Sequence, residues 1–358
     1  MAPRFHKLTV TDIRQETPDC ISIAFGIPAE WEATFAFRPG QNLVLRTRMP
    51  DGELRRNYSL CSSPLDGECR IAVKRLPGGR FSNWAHDHLH LGDTIDVLPP
   101  SGRFCPELPT HGRRSYVAFA AGSGITPVIS ILSHTLATNP DSRFLLVYGN
   151  RDSRHIIFRE QLEALKNRYL QRLQVIHVLS REERDSDLHT GRIDATTCEA
   201  IDRSILPLAT VDDFFLCGPS GMVETVDKYL KAIGIDAAHI HTERFHAPGD
   251  GKPATNPTDK PARQTSHNIS LRLDGTLFRF EAPGHGETLL DAAIRQGIDL
   301  PFACKGGMCG TCRARLLSGQ VQMDQHYALE AEELRQGFIL TCQSHPTTPE
   351  LTIDFDAR

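Results

Sequence analysis

The sequence lacks an excess of charge of either sign, because its 358 residues include 40 Lys and Arg against 44 Asp and Glu, a net charge of −4. This balance argues against a nucleic-acid-binding protein and against a polybasic protein of the membrane surface. No basic segment followed by an apolar one opens the sequence, so no secretory signal is predicted. The longest apolar-rich stretch, 116–132, is interrupted by Gly122, Gly124 and Pro127 and does not predict a membrane span. We therefore expect a cytoplasmic protein with neither nucleic acid nor membrane as a partner.

Histidine-based metal sites and acid–base catalytic constellations are also missing, because the sixteen histidines are scattered without metal-ligand spacing. Ten cysteines are present, and a disulfide framework is not expected in a reducing cytoplasm. Six of them are dispersed and are predicted to be small buried hydrophobic residues. The other four follow the spacing C-x4-C-x2-C-x29-C, at Cys304, Cys309, Cys312 and Cys342.

This cysteine spacing is that of plant-type [2Fe–2S] ferredoxins. A cluster of two sulfide-bridged irons is small and needs four thiolate ligands, so a loop of small residues must curl around it. A structural zinc site is the alternative, but it favours two C-x2-C knuckles and the chain has one. The four cysteines are therefore predicted to be the metal ligands.

The chain length predicts two to three domains. Before residue 109, alternating apolar residues and frequent turns predict an antiparallel β-barrel, residues 1–108. Strand-type runs then alternate with helical patterns, which predicts an α/β domain with a parallel sheet, residues 109–246. Residues 247–266, rich in proline and glycine, are predicted to be a linker. A compact last domain, residues 267–358, contains a helix with Thr288 as its N-cap and Gly297 as its stop.

Two short motifs in the barrel indicate flavin binding when they are taken together. Arg56, Tyr58 and Ser59 lie in the run RNYS, which supplies a cation for pyrophosphate, an aromatic ring for stacking and a hydroxyl group. The run GGRFS supplies small residues and backbone N–H groups for phosphate at a helix start. Alone, a Tyr on a strand is more often a packing residue. The further candidate cofactor contacts in this domain are Lys74, Gly79, Phe81 and Ser82.

Three strand ends of the α/β domain indicate a dinucleotide site. The run AGSGITP follows the first strand, where a pyrophosphate binds at a helix N-terminus, and offers Gly122, Gly124, Thr126 and Pro127. Ser180 and Arg181 follow the third strand, and an Arg there favours the 2′-phosphate of NADPH, unless it is a solvated loop charge. The run CGPSGM follows the fourth strand, where Cys217 is either a nicotinamide contact or a plain buried cysteine. Its other candidates are Gly218, Pro219 and Met222.

In this order, RNYS, GGRFS, AGSGITP and CGPSGM resemble the ferredoxin–NADP reductase superfamily, and the C-terminal cysteine pattern resembles a plant-type ferredoxin of the β-grasp fold. Within the superfamily, the last domain is similar to the reductase subunits of phenylacetyl-CoA epoxidases. The resemblance implies an antiparallel β-barrel FAD domain, a Rossmann-like NADP domain and a ferredoxin domain. It also implies that Arg56 contacts the FAD pyrophosphate, and that Tyr58, Ser59 and Cys217 take part at the reacting rings. At the end of the reductase part, Phe245 is the candidate for covering the other flavin face.

The resemblance implies an electron-transfer enzyme that takes a hydride from NADPH, or from NADH, onto FAD and passes single electrons to the [2Fe–2S] cluster. The expected acceptor is an oxygenase component, a di-iron epoxidase complex by this resemblance. A reductase for a Rieske oxygenase or for a hybrid-cluster protein is an alternative within the same class. A redox-sensing flavoprotein without an oxygenase partner is the alternative from another class.

Overall fold

The structure, a computed structural model, describes residues 4–50, 52–184, 186–245, 266–283 and 286–357. The predicted linker 247–266 lies outside the described residues except for Ser266. Packing divides the described residues into two compact units. One comprises the described residues 4–6, 44–50, 52–57, 266–283 and 286–357, and the other comprises 7–43, 58–184 and 186–245. Across the described residues, the helices are all too short or too polar to cross a membrane.

The N-terminal part is an antiparallel β-barrel, as predicted. Its strands run in the order β4-β3-β6-β1-β2-β5. In the pairing of β2 with β5, the two strands are antiparallel from Cys20↔Lys74 to Phe25↔Cys69. The strands are β1 (His6–Thr17), β2 (Cys20–Gly26), β3 (Asn42–Met49), β4 (Gly52–Ser59), β5 (Cys69–Lys74) and β6 (Thr94–Val97), and the helices are α1 (Glu32–Phe35) and α2 (Arg80–His88).

The middle part is an α/β domain with a five-stranded parallel sheet, which confirms the predicted fold class. It holds one strand more than the four that the sequence indicated, because Ile240–Phe245 adds a strand at the edge. The elements are β7 (Arg114–Ala121), α3 (Ile125–Thr138), β8 (Ser142–Asn150), α4 (Arg159–Arg168), β9 (Leu173–Leu179), α5 (Ala195–Ser204), β10 (Asp213–Pro219), α6 (Ser220–Ala232) and β11 (Ile240–Phe245).

This sheet is buried on both faces, as a parallel sheet with crossover helices must be. Alternate residues of β7 point to opposite sides, so Tyr116 and Ala118 join one core cluster while Val117 and Phe119 join the other. The strand order β11-β10-β7-β8-β9 reverses direction between β7 and β10. In open α/β sheets, ligands bind outside the carboxyl ends of the strands at such a reversal. The fold therefore directs attention to the residues that follow β7 and β10.

The C-terminal part is a mixed sheet with one helix packed on it, which is the predicted β-grasp arrangement. The strand order is β13-β12-β18-β14-β16, with β12 and β18 parallel. Thr288 caps α7 by accepting a hydrogen bond from the Asp291 backbone N–H at 3.2 Å, and the helix ends just before Gly297. The elements are β12 (Ser266–Leu273), β13 (Thr276–Pro283), α7 (Leu289–Arg295), β14 (Arg313–Ser318), β15 (Val321–Met323), α8 (Ala331–Arg335), β16 (Phe338–Leu340), β17 (Ser344–Pro346) and β18 (Glu350–Asp354).

Candidate flavin, nucleotide and cluster sites

The four clustered cysteines meet as two neighbouring pairs. In the loop between α7 and β14, the Cys309 thiol donates a hydrogen bond to the Cys304 sulfur. The Cys312 thiol donates in the same way to Cys342, which follows β16. These bonds lower the pKa of Cys304 and of Cys342, since each accepting sulfur is held more favourably as a thiolate. The backbone N–H of Gly306 adds a contact of 3.3 Å to the Cys304 sulfur.

This arrangement fits a binuclear cluster. Among the described residues, no three His, Cys, Asp or Glu side chains are grouped around a single point where one ion could bind. A [2Fe–2S] cluster does not need such a group, because each iron takes two protein thiolates and two sulfides. The loop also curls tightly, with Gly307 at φ 73° and a Cβ there only 3.1 Å from the Gln325 carbonyl oxygen. A larger residue at position 307 would therefore push against the backbone that closes the loop.

Three candidate flavin residues lie on strand β4. The Arg56 guanidinium is half-buried and donates to the carbonyl oxygen of Arg55 at 2.7 Å. The half-buried Tyr58 ring packs against Phe81, with ring centroids 5.3 Å apart. Ser59 is buried. The aromatic face of Tyr58 and the guanidinium of Arg56 thus have the chemistry that a flavin and its pyrophosphate require.

The other barrel candidates form the start of helix α2. Gly79 is the N-cap residue, and its N–H donates to the Leu76 carbonyl oxygen at 2.9 Å. The Ser82 hydroxyl is buried and accepts a hydrogen bond from the Leu76 backbone N–H at 3.2 Å. Ser82 therefore shapes the turn that presents the helix N-terminus, in addition to its predicted role as a phosphate contact. Phe81 is buried beneath the turn.

A carboxyl group that the motifs did not single out lies beside the flavin candidates. The Ser59 hydroxyl donates to Oε2 of Glu243 at 3.2 Å, although the two residues are 184 positions apart. Burial raises the pKa of the Glu243 carboxyl to about 7. In the β10–β11 pairing, Glu243 stands opposite Cys217. Ser59, Glu243 and Cys217 thus form one small group at the carboxyl end of the sheet. The sequence feature that could have identified Glu243 as a site residue is its position in a strand after the last helix of the α/β domain.

The predicted pyrophosphate turn packs directly on strand β10. Gly122–Gly124 form one 3-10 turn before α3, and a Cβ on Gly124 would lie 2.2 Å from the Cys217 carbonyl oxygen. Only a glycine allows this approach of two backbones. A Cβ on Gly122 would lie 3.6 Å from Nζ of Lys74, so this cation faces the turn. Burial lowers the pKa of Lys74, and the Asp19 carboxylate 3.9 Å away opposes that effect.

The remaining residues of these two strand ends are mostly buried. Thr126 and Pro127 lie in the first turn of α3, and the Thr126 hydroxyl donates to the Ser123 carbonyl oxygen at 3.0 Å. Cys217 is fully buried, and burial raises its pKa well above the ordinary value. A buried neutral thiol of this kind contributes shape to a neighbouring site and does not act as a nucleophile. Around it, Gly218 and Pro219 end β10, Met222 lies half-buried in α6, and Phe245 packs on the core from the end of β11.

Ser180 and Arg181 are exposed at the carboxyl end of the edge strand β9. The Ser180 backbone N–H donates to the carbonyl oxygen of Asn150 at 2.9 Å, and the Arg181 backbone N–H donates to that of Arg151 at 2.7 Å. Among the described residues, no carboxylate pairs with the Arg181 guanidinium, whereas Arg151 forms an ion pair with Asp19. Arg181 is therefore a cation that a nucleotide phosphate could engage without displacing an existing partner.

Comparison with known families agrees with this arrangement. A model for an oxidoreductase FAD-binding domain matches residues 7–105. A model for an oxidoreductase NAD-binding domain matches residues 119–228, and one for a 2Fe-2S iron-sulfur cluster binding domain matches residues 271–347.

Full-length relatives decide the family. The chain is 43% identical, over 99% of its length and 98% of the relative, to a subunit of 1,2-phenylacetyl-CoA epoxidase from Escherichia coli. The chain belongs to the oxygenase reductases of the ferredoxin–NADP reductase superfamily. It is also 36% identical, over 97% of its length and 96% of the relative, to the ferredoxin reductase component of 3-ketosteroid-9-alpha-monooxygenase from Rhodococcus rhodochrous. Among solved structures, phthalate dioxygenase reductase matches 98% of both chains with a TM-score of 0.61 and 24% identity, which supports the fold.

Membership of this oxygenase reductase family establishes the chemistry in general terms. The protein is an NAD(P)H-dependent oxidoreductase with FAD and a [2Fe–2S] cluster. Its relatives from Escherichia coli and Rhodococcus rhodochrous are components of oxygenases. The predicted cofactors and the three predicted kinds of domain are confirmed. The assignments of individual flavin, nucleotide and cluster residues remain predictions.

Replacing Cys309 or Cys342 by Ser should abolish the cluster and leave the flavin bound, because each pair of thiols would lose one ligand. Iron and acid-labile sulfide should fall from about two each per chain to near zero, while the flavin absorption stays. Visible spectra and metal analysis measure both. Cys198→Ser, in helix α5, is the matched control and should keep its cluster. A full cluster in both ligand variants would contradict the assignment.

Replacing Glu243 by Gln should remove a pH-dependent loss of stability. The folded-state pKa of about 7 exceeds the ordinary 4.5, so between these values the folded protein holds a proton that the unfolded chain has released. Stability therefore falls as the pH rises through this window. The melting temperatures of the wild type and Glu243→Gln should diverge from about pH 4.5 to about pH 7, in favour of the variant, and then stay apart by a constant amount.

Thermal unfolding across a pH range that brackets this window measures the divergence. The control is Glu224→Gln, which removes a carboxylate from α6 that pairs with Arg244 at 3.1 Å. A gap between wild type and Glu243→Gln that is the same at all pH values would contradict the raised pKa.

Proposed function

We propose that this protein is the reductase of a di-iron oxygenase of the phenylacetyl-CoA epoxidase type. The observation that carries the proposal is the 43% identity to a component of that epoxidase over nearly the whole of both chains. The two cysteine pairs of the cluster loop support it, because they suit a one-electron exit towards a partner protein. We further propose a cytoplasmic location and the domain boundaries 1–108, 109–246 and 267–358.

Bound FAD would accept two electrons as a hydride from NADPH and release them singly to the cluster. We propose that Arg56 and the α2 N-terminus hold the flavin pyrophosphate and that Tyr58 flanks the ring. The turn at Gly122–Gly124, with Lys74 facing it, would hold the nucleotide pyrophosphate. Ser59 and Glu243 would form the polar side of the place where the two rings meet, and Cys217 would form its buried floor. Phe245 would cover the remaining flavin face.

A reductase for a steroid monooxygenase is the second candidate, supported by the 36% identity over nearly the full length of both chains. The two candidates share cofactors and differ in the surface of the acceptor protein. Redox encounters are small and transient, so complementary charge mainly raises the association rate. We propose that the acceptor docks at the cluster loop, where Lys305, Arg313 and Arg315 lie close in sequence to the ligands.

The experiment is NADPH-driven turnover with purified oxygenase components of each type. The phenylacetyl-CoA epoxidase complex should be supported, with a rate that falls as salt is added, since salt screens the docking charges. The Cys309→Ser variant should still reduce ferricyanide, which takes electrons from flavin directly, but should not support the oxygenase. Turnover with the steroid oxygenase alone would favour the second candidate. Oxygenase turnover by the cluster-free variant would show that the cluster is not the exit.

Replacing Arg181 by Ala should weaken NADPH binding far more than NADH binding, because only NADPH carries the 2′-phosphate. A charge-assisted hydrogen bond is worth about 1.5–3 kcal/mol, so the KM for NADPH should rise by roughly 10- to 150-fold. Steady-state kinetics with both nucleotides measure this ratio. Arg184→Ala is the control, because Arg184 lies in the same loop but pairs with Glu182 at 2.7 Å. Equal changes in KM for both nucleotides would make Arg181 a solvated loop charge.

A further inference from the structure

Arg55 is a buried cation on strand β4 that none of the sequence motifs singled out. Its side chain is 5% exposed. On the barrel side, Nε donates to Oε1 of Glu53 at 2.7 Å, and the guanidinium lies 4.9 Å from the centroid of the Phe5 ring. These contacts fix the side chain within its own strand and the preceding N-terminal segment.

The other end of the same guanidinium holds a distant segment of the ferredoxin domain. Nη2 donates to Oδ1 of Asp299 at 2.6 Å, and Nη1 donates to the carbonyl oxygen of Leu300 at 3.1 Å. The guanidinium also lies 4.2 Å from the centroid of the Phe302 ring. A fork of planar donors can make this set of contacts at once, whereas an ammonium group cannot.

The segment 299–302 is firmly joined to the core that carries the cluster loop. Leu300 is buried in the hydrophobic core of the ferredoxin domain, and Phe302 packs against that core. Phe302 is two residues before the cluster ligand Cys304, and Lys305 lies 5.0 Å from the Phe302 ring centroid. A displacement of 299–302 would therefore move the start of the cluster loop, because packed cores transmit displacement.

The partner of this segment is the strand that carries the flavin candidates. Arg56, Tyr58 and Ser59 follow Arg55 closely along β4. One guanidinium therefore connects the strand proposed to hold FAD with the chain that enters the cluster loop. The contact restricts how the segment 299–302 can move relative to that strand.

We propose that Arg55 is a positioning residue for electron transfer from the flavin to the cluster, acting by clamping segment 299–302 to strand β4. The proposal rests on the proposed flavin site. The step it concerns moves one electron from two-electron-reduced flavin to the cluster, which goes from two ferric irons to one ferric and one ferrous iron. NADPH has supplied both electrons as a hydride, and the second stays on the flavin for the next transfer.

The test is the rate of this transfer in the full-length holoenzyme of Arg55→Met and Asp299→Lys. Met keeps length and apolar contact but removes the fork, and Lys at the exposed position 299 repels Arg55 without emptying a core site. The flavin should be reduced by a light pulse with a photochemical donor, so that hydride transfer does not limit the observation. In both variants the cluster-reduction rate should fall by about tenfold or more, since a charge-assisted contact that holds segment 299–302 against β4 is lost.

Other readouts separate positioning from damage to either cofactor. FAD content, iron and sulfide content, the cluster reduction potential and NADPH–ferricyanide activity should equal those of the wild type. Hydrogen–deuterium exchange of the amides in 299–303 should accelerate in both variants, because the clamp no longer restrains them. Arg55→Lys, which keeps the charge but not the fork, should give an intermediate rate.

The control is Arg295→Met, which removes an ion pair with Glu287 of 3.0 Å inside the ferredoxin domain. It should transfer electrons at the wild-type rate.

The double variant Arg55→Met, Asp299→Lys should be no slower than Arg55→Met, because both changes open the same contact. The proposal would be overturned if Asp299→Lys, with both cofactors fully bound, reduced its cluster at the wild-type rate. It would also be overturned if the rate losses of the two single variants multiplied in the double variant. If the Arg55→Met variant loses FAD, the cluster-reduction rate of the Asp299→Lys variant alone tests the proposal. Loss of ferricyanide activity in these variants would instead place the fault in the proposed flavin site.

Discussion

The close approach of the turn at Gly122–Gly124 to strand β10 shapes the end of the sheet where we propose that the nucleotide binds. A Cβ on Gly124 would lie 2.2 Å from the Cys217 carbonyl oxygen, so the turn can occupy this place only without a side chain. The strand order reverses between β7 and β10, and the connections leave the sheet in opposite directions there. Near this point lie Lys74 from the barrel, Cys217 on β10 and, one strand further, Glu243.

The polar groups near this edge of the sheet differ in the contacts that set their protonation. Lys74 has the Asp19 carboxylate 3.9 Å away, which favours its charged form against the cost of burial. Glu243 accepts a hydrogen bond from the neutral hydroxyl of Ser59, and its pKa rises with burial to about 7. A carboxyl group with such a pKa can hold a proton near neutral pH, a property expected of a group beside the proposed flavin and nicotinamide sites. Its neighbour Cys217 is buried and stays a neutral thiol.

The tight turn of the cluster loop likewise depends on backbone geometry. Lys305 and Gly307 both adopt positive φ, so the chain turns tightly enough for Cys304 and Cys309 to meet. The second pair joins Cys312 to a residue that follows β16, which ties the loop to the sheet. Leu300, Cys312 and Cys342 belong to one hydrophobic core, and Phe302 packs against it, so the segment that Arg55 contacts is packed together with the cluster loop.

Features that local spacing encodes can be predicted from the amino-acid sequence alone. The C-x4-C-x2-C-x29-C pattern predicts the cluster, and the structure confirms the helix cap at Thr288. The nucleotide role of the strand-then-glycine motif stays a prediction. The number of strands in the middle sheet was underestimated, because Ile240–Phe245 is a short edge strand with only partial burial and a weak pattern.

The pairings between residues far apart in the chain become visible only in the folded structure. Ser59 meets Glu243 across 184 positions, and Arg55 meets Asp299 across 244. Neither pair has a sequence signature, since each depends on strand register and on how distant segments of the chain pack. A hydroxyl, a carboxylate or a guanidinium is compatible with many surface positions. Which of them becomes buried, and beside which partner, is set by the assembly of the core around it.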